Sequence, residues 1–294
     1  MGAVTHRAHL ADWIEAARPK TLPASAAPVM LGAGYAWAIT GHPHIVASLL
    51  ALLVALALQV GVNYANDYSD GIRGTDDVGA RVGPQRLTGP GLASPRAVLT
   101  AAMVSFLVAA VAGFVLIALS GTWYFLVAGV CALLAAWFYT GGRHPYGYIG
   151  GIAEVLVFVF FGLVATLATT WTQVRILPGA EWAAAAGIGL LSCALLMVNN
   201  IRDIAGDTRA GKTTLAVRVG EVPARWMCVG YVVVAAVLAY PTSLAVAILT
   251  AGIGLVITRG IVTGATGPAL IVTLRRIGFL TLFYGAGLAV AAVV

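Results

Sequence analysis

Long apolar runs recur along the chain at about 22–40, 45–66, 97–119, 122–140, 149–170, 181–200, 226–240, 243–258 and 277–294, almost all of them without charge. Roughly 20 apolar residues suffice to cross a bilayer as a helix, so the pattern predicts nine membrane helices joined by short polar loops. The expected fold is an all-α integral membrane bundle, with residues 1–294 forming one polytopic domain. The seventh and eighth runs are the least distinct, because Pro241 lies between them. A single helix broken there would leave Arg225 and Arg259 on opposite sides of the membrane, whereas two helices keep them on the same side.

Composition agrees: 60% of residues are hydrophobic and 10% are charged. A soluble domain carries roughly 25% charged residues, so a water-soluble globule is excluded. In a soluble protein the net charge of +6 would suggest nucleic acid, but here positive loops more simply report topology, and no nucleic-acid partner is expected. With nine spans, all but Arg175 of the 17 lysines and arginines fall on one face, which the positive-inside rule assigns to the cytoplasm together with the N-terminus. His6, Arg7, Asp12, Glu15, Arg18 and Lys20 precede the first run, which lacks the short apolar core and small-residue cleavage site of a signal peptide. That run is therefore expected to remain as a span. Cys131, Cys193 and Cys228 stand singly, with no spacing that suggests a disulfide or a zinc site.

The acids are as unevenly placed as the cations. Of 11 carboxylates, Asp67, Asp70, Asp76 and Asp77 follow the second run and Asp203 and Asp207 follow the sixth. The two segments share a spacing, Asn63-x3-Asp67-x2-Asp70-x2-Arg73 and Asn199-x3-Asp203-x3-Asp207-x-Arg209, which is consistent with an internal duplication. On a helix, residues 63, 67 and 70 share a face, as do 199, 203 and 207. Carboxylates crowded in this way repel one another unless a cation lies between them. Oxygen ligands without His or Cys favour a hard ion, Mg²⁺ in particular, with Asp67, Asp70, Asp76, Asp77, Asp203 and Asp207 as candidate ligands. Arg73, Arg202, Arg209 and Lys212 interleave with them and are suited to gripping phosphate, so the set suggests a diphosphate site. Mixed charges in one loop usually mark a solvated face. A repeated Asn-x3-Asp spacing in two loops weighs against that reading without eliminating it.

Gly206-Asp-Thr-Arg-Ala-Gly-Lys-Thr213 also fits the phosphate-loop pattern GxxxxGK[ST]. That motif requires a preceding strand, and residues 183–200 have the length and composition of a membrane helix, so nucleotide binding is not expected.

Taken together, these residues resemble the UbiA superfamily of intramembrane aromatic prenyltransferases, and within it the branch that acts on 1,4-dihydroxy-2-naphthoate. The resemblance rests on Arg18-Pro-Lys-Thr-Leu-Pro, Asn63-Tyr-Ala-Asn-Asp-Tyr-Ser-Asp70, Tyr139-Thr-Gly-Gly, Tyr146-Gly-Tyr with Glu154, and Asn199-Asn-Ile-Arg-Asp-Ile-Ala-Gly-Asp207 with Gly211-Lys-Thr-Thr. The superfamily pattern NDxxDxxxD is matched at Asn66, Asp67 and Asp70, but Gly74 stands where its third acid belongs, and Asp76 or Asp77 would have to substitute. DxxxD is intact as Asp203 and Asp207.

The resemblance implies a bundle around a central cavity open to lipid, in the plasma (inner) membrane of a bacterial cell. There, a polyprenyl diphosphate would be held through Mg²⁺ by both acidic motifs, with Asn63, Asn66, Asn199 and Asn200 beside them. The acceptor it implies is 1,4-dihydroxy-2-naphthoate, prenylated with loss of diphosphate and CO₂ to give a menaquinone precursor. Candidate walls for the allylic cation are Trp137, Tyr139, Phe158, Phe160 and Phe161, since ring faces stabilise a cation and exclude water. Glu154, about one turn inside the fifth run, is placed either to activate an acceptor hydroxyl or to serve as a structural partner to a neighbouring helix. Arg143 either holds the acceptor carboxylate or simply contributes to topology. Two alternatives stand beside this reading: transfer to 4-hydroxybenzoate or another acceptor, and, in a different class, a cation-coupled transporter.

Overall fold

The computed structural model describes residues 8–74 and 86–294, and the helix boundaries follow local signals in the chain. A short α1 (Leu10–Ala16) and one 3₁₀ turn (Pro19–Thr21) lead into α2 (Leu22–Thr40), which stops at Gly41 in the left-handed region, φ 74°. Next come α3 (Ile45–Ile72) and α4 (Pro95–Ser120). Helix α4 opens with the Ser94 hydroxyl accepting from the Ala97 N–H and with proline in its first turn, where no N–H is needed. Helix α5 (Phe125–Phe138) is short. Beyond it, α6 (Ile152–Val157), a π-helical stretch (Phe158–Val164) and α7 (Ala165–Val174) run on as one span. The chain finishes with α8 (Gly179–Arg209), α9 (Leu215–Val219), α10 (Glu221–Ala239), α11 (Leu244–Val262) and α12 (Pro268–Val293).

Among the described residues, eight helical spans are long and apolar enough to cross a bilayer. Helix α5, the expected fourth span, has 14 residues. It rises only about 21 Å against a hydrocarbon core of about 30 Å. Nine passes are thus an approximate count, with one pass a partial one. The turn at 240–243 separates α10 from α11, so the two least distinct runs are separate helices. The last run begins earlier than its hydrophobicity suggests: α12 starts at Pro268, which places Arg275 and Arg276 inside a helix rather than in a loop. Long arginine stems tolerate this by reaching back to the polar border.

Contacts at the helix ends show how the passes alternate. At one end of the bundle the Arg175 guanidinium donates to the Ser120 carbonyl (2.6 Å), Tyr35 meets Thr242 (2.5 Å), and the Trp171 indole donates to the Tyr124 hydroxyl. The acidic motifs lie at the other end. The main core is built by α2, α8, α10, α11 and α12 around Leu31, Ile188, Met197, Ile277 and Tyr284, and α3 and α4 close a second one around Ala65, Leu87 and Phe106.

In lipid, close van der Waals packing holds helices together, and small residues permit it. A Cβ built on Gly34 would lie 2.5 Å from the Ala289 Cβ, and one on Gly285 would lie 2.5 Å from the Ala27 carbonyl oxygen, so α2 and α12 pack almost backbone to backbone. Helices α3 and α8, with 28 and 31 residues, are the features that place the site. At 1.5 Å per residue they extend about 42 and 46 Å, beyond the bilayer core, and the overrun carries the acids.

Candidate active site

Each residue of the first acidic segment is tied to a different neighbour. The Asn63 amide donates to the Ala17 carbonyl (2.8 Å) and Asn66 accepts from the Thr140 hydroxyl (2.6 Å), so α3 is locked to α1 and to the segment after α5. Asp67 is 1% exposed and accepts two backbone N–H groups, Leu87 (2.8 Å) on one oxygen and Thr88 (2.9 Å) on the other. It folds the loop before α4 back onto α3, and that loop delivers Arg86. Asp70 is the electrostatic centre: Oδ2 meets Arg86 Nη2 at 3.0 Å, and Oδ1 accepts from the Tyr148 hydroxyl (2.7 Å) and from Lys212 Nζ (3.2 Å).

Lys212 follows the second motif, so its contact with Asp70 joins the two acidic helix ends across one site. Backbone pairing holds them there. Ile149 and Thr213 form an isolated parallel bridge, with Gly150 N donating to the Thr213 carbonyl (2.8 Å) and Thr213 N to the Tyr148 carbonyl (2.9 Å). Tyr148 lies between the halves, with Lys212 Nζ 4.3 Å from its ring centroid and Arg73 Cζ 5.6 Å. Burial raises the Tyr148 pKa above the ordinary phenol value, and the neighbouring Asp70 charge raises it further, so the hydroxyl stays protonated as a donor.

In the second segment, Arg202 grips the adjacent Asp203 through two bonds, Nε to Oδ1 (2.8 Å) and Nη2 to Oδ2 (2.6 Å). Asp207 accepts from the Thr214 hydroxyl (3.4 Å). Asn200 donates to Glu154 Oε1 (3.4 Å), while Glu154 Oε2 takes the Gly151 N–H (2.7 Å). Glu154 thus caps its own helix and contacts α8. In the segment that fits the phosphate-loop pattern, Gly206–Arg209 is the last turn of α8, so a helix rather than a strand leads into it.

Beneath this cluster lies a cavity of about 340 Å³. Its mouth carries Arg18, Gln59, Asn63, Asn66, Tyr139 and Asn199, and its depth is apolar, reaching Leu116 and Phe125. The π-helical stretch turns Phe160 and Phe161 into it, and Tyr139 and Tyr146 meet edge to face at 5.5 Å on its rim. Of the expected aromatic walls, Tyr139, Phe160 and Phe161 line the cavity. Trp137 instead packs in the α3–α4 core, and Phe158 lies against Gly189.

Two expected binding residues, Arg143 and Arg209, sit apart from this centre. Arg143 is exposed in the segment after α5 and Arg209 at the end of α8, and no side-chain hydrogen bond or ion pair holds either among the described residues. Arg73 gives its guanidinium to the Thr140 (2.6 Å) and Gly142 (2.5 Å) carbonyls and to the Tyr148 hydroxyl (3.3 Å), tying the 139–142 segment to the centre. Asp76 and Asp77 lie outside the described residues. Sequence reasoning overlooked Arg86, which it counted only for topology, and the individual role of Tyr148. Arg18 is also notable, since it faces the cavity mouth from a left-handed backbone, φ 55°.

Among the described residues, no three Asp, Glu, His or Cys side chains form a ready metal cage. A hard divalent ion such as Mg²⁺ uses one or two carboxylates and completes its shell with phosphate oxygens and water. The donors at hand are all oxygen. Asp70 and Asp203 each hold protein cations, which balance their charge.

Comparison with known proteins agrees with this geometry. The chain is 47% identical over 289 residues to the 1,4-dihydroxy-2-naphthoate octaprenyltransferase of Mycobacterium tuberculosis, covering 96% of this chain and 97% of that one. It is 38% identical to the Escherichia coli protein of that name, covering 72% and 70%. A UbiA homologue from Archaeoglobus fulgidus, solved with DMAPP and Mg²⁺, superposes with a TM-score of 0.68 at 16% identity over 95% of this chain and 99% of that one. That likeness establishes the fold of a multi-pass membrane bundle. The profile of the UbiA prenyltransferase family matches residues 25–278, and the chain belongs to that family.

Proposed function

We propose that this enzyme transfers a polyprenyl chain from polyprenyl diphosphate to 1,4-dihydroxy-2-naphthoate, releasing diphosphate and CO₂ and giving demethylmenaquinol for menaquinone biosynthesis. The observation that carries the reading is the 3.2 Å contact of Lys212 with Asp70, which sets both acidic helix ends over the mouth of one apolar cavity. The acceptor is the one for which relatives at 38–47% identity are named.

Asp70, Asp203 and Asp207, with Asn66 and Asn199 beside them, are the residues to hold Mg²⁺. Bound there, the metal neutralises charge on the departing diphosphate. Arg86, Lys212 and Arg202, which pair with these carboxylates, would hold phosphate oxygens beside it. The allylic C–O bond breaks with its electron pair leaving on diphosphate. The ring carbon bearing the carboxylate bonds to the prenyl carbon, and CO₂ departs, returning its electron pair to the ring. Tyr139, Tyr146, Phe160 and Phe161 keep water from the allylic cation and face it with aromatic surface. The acidic motifs and N-terminus face the cytoplasm, where both the diphosphate and the acceptor are supplied.

A transporter would hold its ion near midplane between broken helices, whereas these acids end their helices on one side and carry basic partners. The test offers the purified protein equal dihydroxynaphthoate and 4-hydroxybenzoate with a polyprenyl diphosphate and Mg²⁺, and reads products by mass. The expected product is the decarboxylated prenyl naphthalenediol, lost on chelation and restored by Mg²⁺. Prenylated hydroxybenzoate as the main product would overturn the acceptor assignment.

A further inference from the structure

On the outer surface of the bundle, away from the cavity, α11 and α12 leave a groove lined by Gly252, Ile253, Val256, Phe279 and Phe283, with Arg276 among them. Val256 is 73% exposed and Phe279 54%. Residues 252, 256 and 259 share one face of α11 by helical spacing, and 276, 279, 280 and 283 share one face of α12. The two helices run antiparallel, and side chains point toward a helix N-terminus, so Arg276 reaches from within the bilayer toward the polar border where Arg259 sits.

The charge here is uncompensated. From Val222 to Val294 the sequence has no Asp or Glu, and its cations are Arg225, Arg259, Arg275 and Arg276. Arg225 is buried and paired with Glu221 at 2.5 Å, whereas Arg259, Arg275 and Arg276 are exposed and have no ion pair among the described residues. A guanidinium two turns inside a membrane helix is costly unless an anion meets it.

We propose that this groove is a binding site for an anionic phospholipid, with one acyl chain along Val256, Phe279 and Phe283 and the headgroup phosphate on Arg276 and Arg259. The apolar floor and the unbalanced charge together select a molecule with a tail and a negative head.

The test offers full-length protein in mild detergent phosphatidylglycerol or phosphatidylcholine with matched acyl chains, and counts retained lipid by native mass spectrometry. Each arginine near a headgroup contributes about a fivefold preference for the anionic lipid. Arg276→Ala is expected to lose about that factor, and Arg259→Ala with Arg276→Ala to bring phosphatidylglycerol down to the phosphatidylcholine level. Gly252 has no neighbouring atom within 4 Å of a built Cβ. Gly252→Phe therefore fills the groove without displacing the core, and is expected to lower retention of both lipids with an unchanged melting curve. Equal retention of the two lipids by the unaltered protein, or an unchanged preference in the double variant, overturns the proposal. So does disulfide-linked dimer formation by a Val256→Cys variant in place of lipid retention, which would make a second copy the occupant.

Discussion

At the scale of single residues, the aspartates of one motif have different tasks. Both Asp67 oxygens hold loop amides, whereas Asp203 is held by one side chain, Arg202. Asp67→Asn replaces one acceptor with a donor facing an N–H. It is expected to cost about 1–3 kcal/mol of stability along with activity. Asp203→Asn is expected to abolish transfer with little change in stability. Melting curves and turnover on the two variants check this, and equal stability losses would contradict it. Tyr148 gives a pH signature. Its folded pKa lies above the unfolded value, so its contribution to stability is complete below about pH 10 and fades as pH rises through the folded value. Tyr148→Phe is expected to lower stability at neutral pH and to flatten the alkaline fall in melting temperature, measured between about pH 8 and 11.

The residues that could be picked out beforehand are those whose spacing repeats, such as Asn63, Asp67, Asp70, Asn199, Asp203 and Asp207. Arg86 and Tyr148 escaped notice because their partners lie 16 and 78 positions away in sequence, through a loop folding back and a backbone bridge that no local pattern encodes. Glu154 was visible as a costly acid, but its capping of Gly151 depends on where α6 begins.

Among the elements, hydrophobic runs located the spans but not their internal geometry. A π turn and an α turn present the same apolar composition, so the stretch Phe158–Val164 left no trace in the pattern. Its packing depends on two glycines. A Cβ on Gly162 would lie 2.6 Å from Gly189 Cα and 2.8 Å from the Ala185 carbonyl oxygen. Gly162→Val is expected to push the stretch off α8, costing about 1–3 kcal/mol and displacing Phe160 and Phe161. Lower melting temperature together with a larger share of polyprenyl diphosphate hydrolysed to free polyprenol instead of transferred would report both effects.

For the whole molecule, sidedness is the quantity that charge counting gives and helix packing must respect. Cysteines introduced at Arg209 and at Ile176 are expected to react with an impermeant maleimide from opposite sides of intact cells, Ile176 from outside and Arg209 only after lysis. Labelling of Arg209→Cys in intact cells would reverse the orientation. A last consequence comes from the cavity wall that α5 supplies through Ala128, Gly129, Ala132, Ala135 and Ala136. Hydrogens and methyl groups offer an isoprene tail no notch in which to register, so a longer or shorter tail can slide along this trough with nearly the same fit. Prenyl diphosphates of different lengths are then expected to be transferred to the acceptor at similar rates.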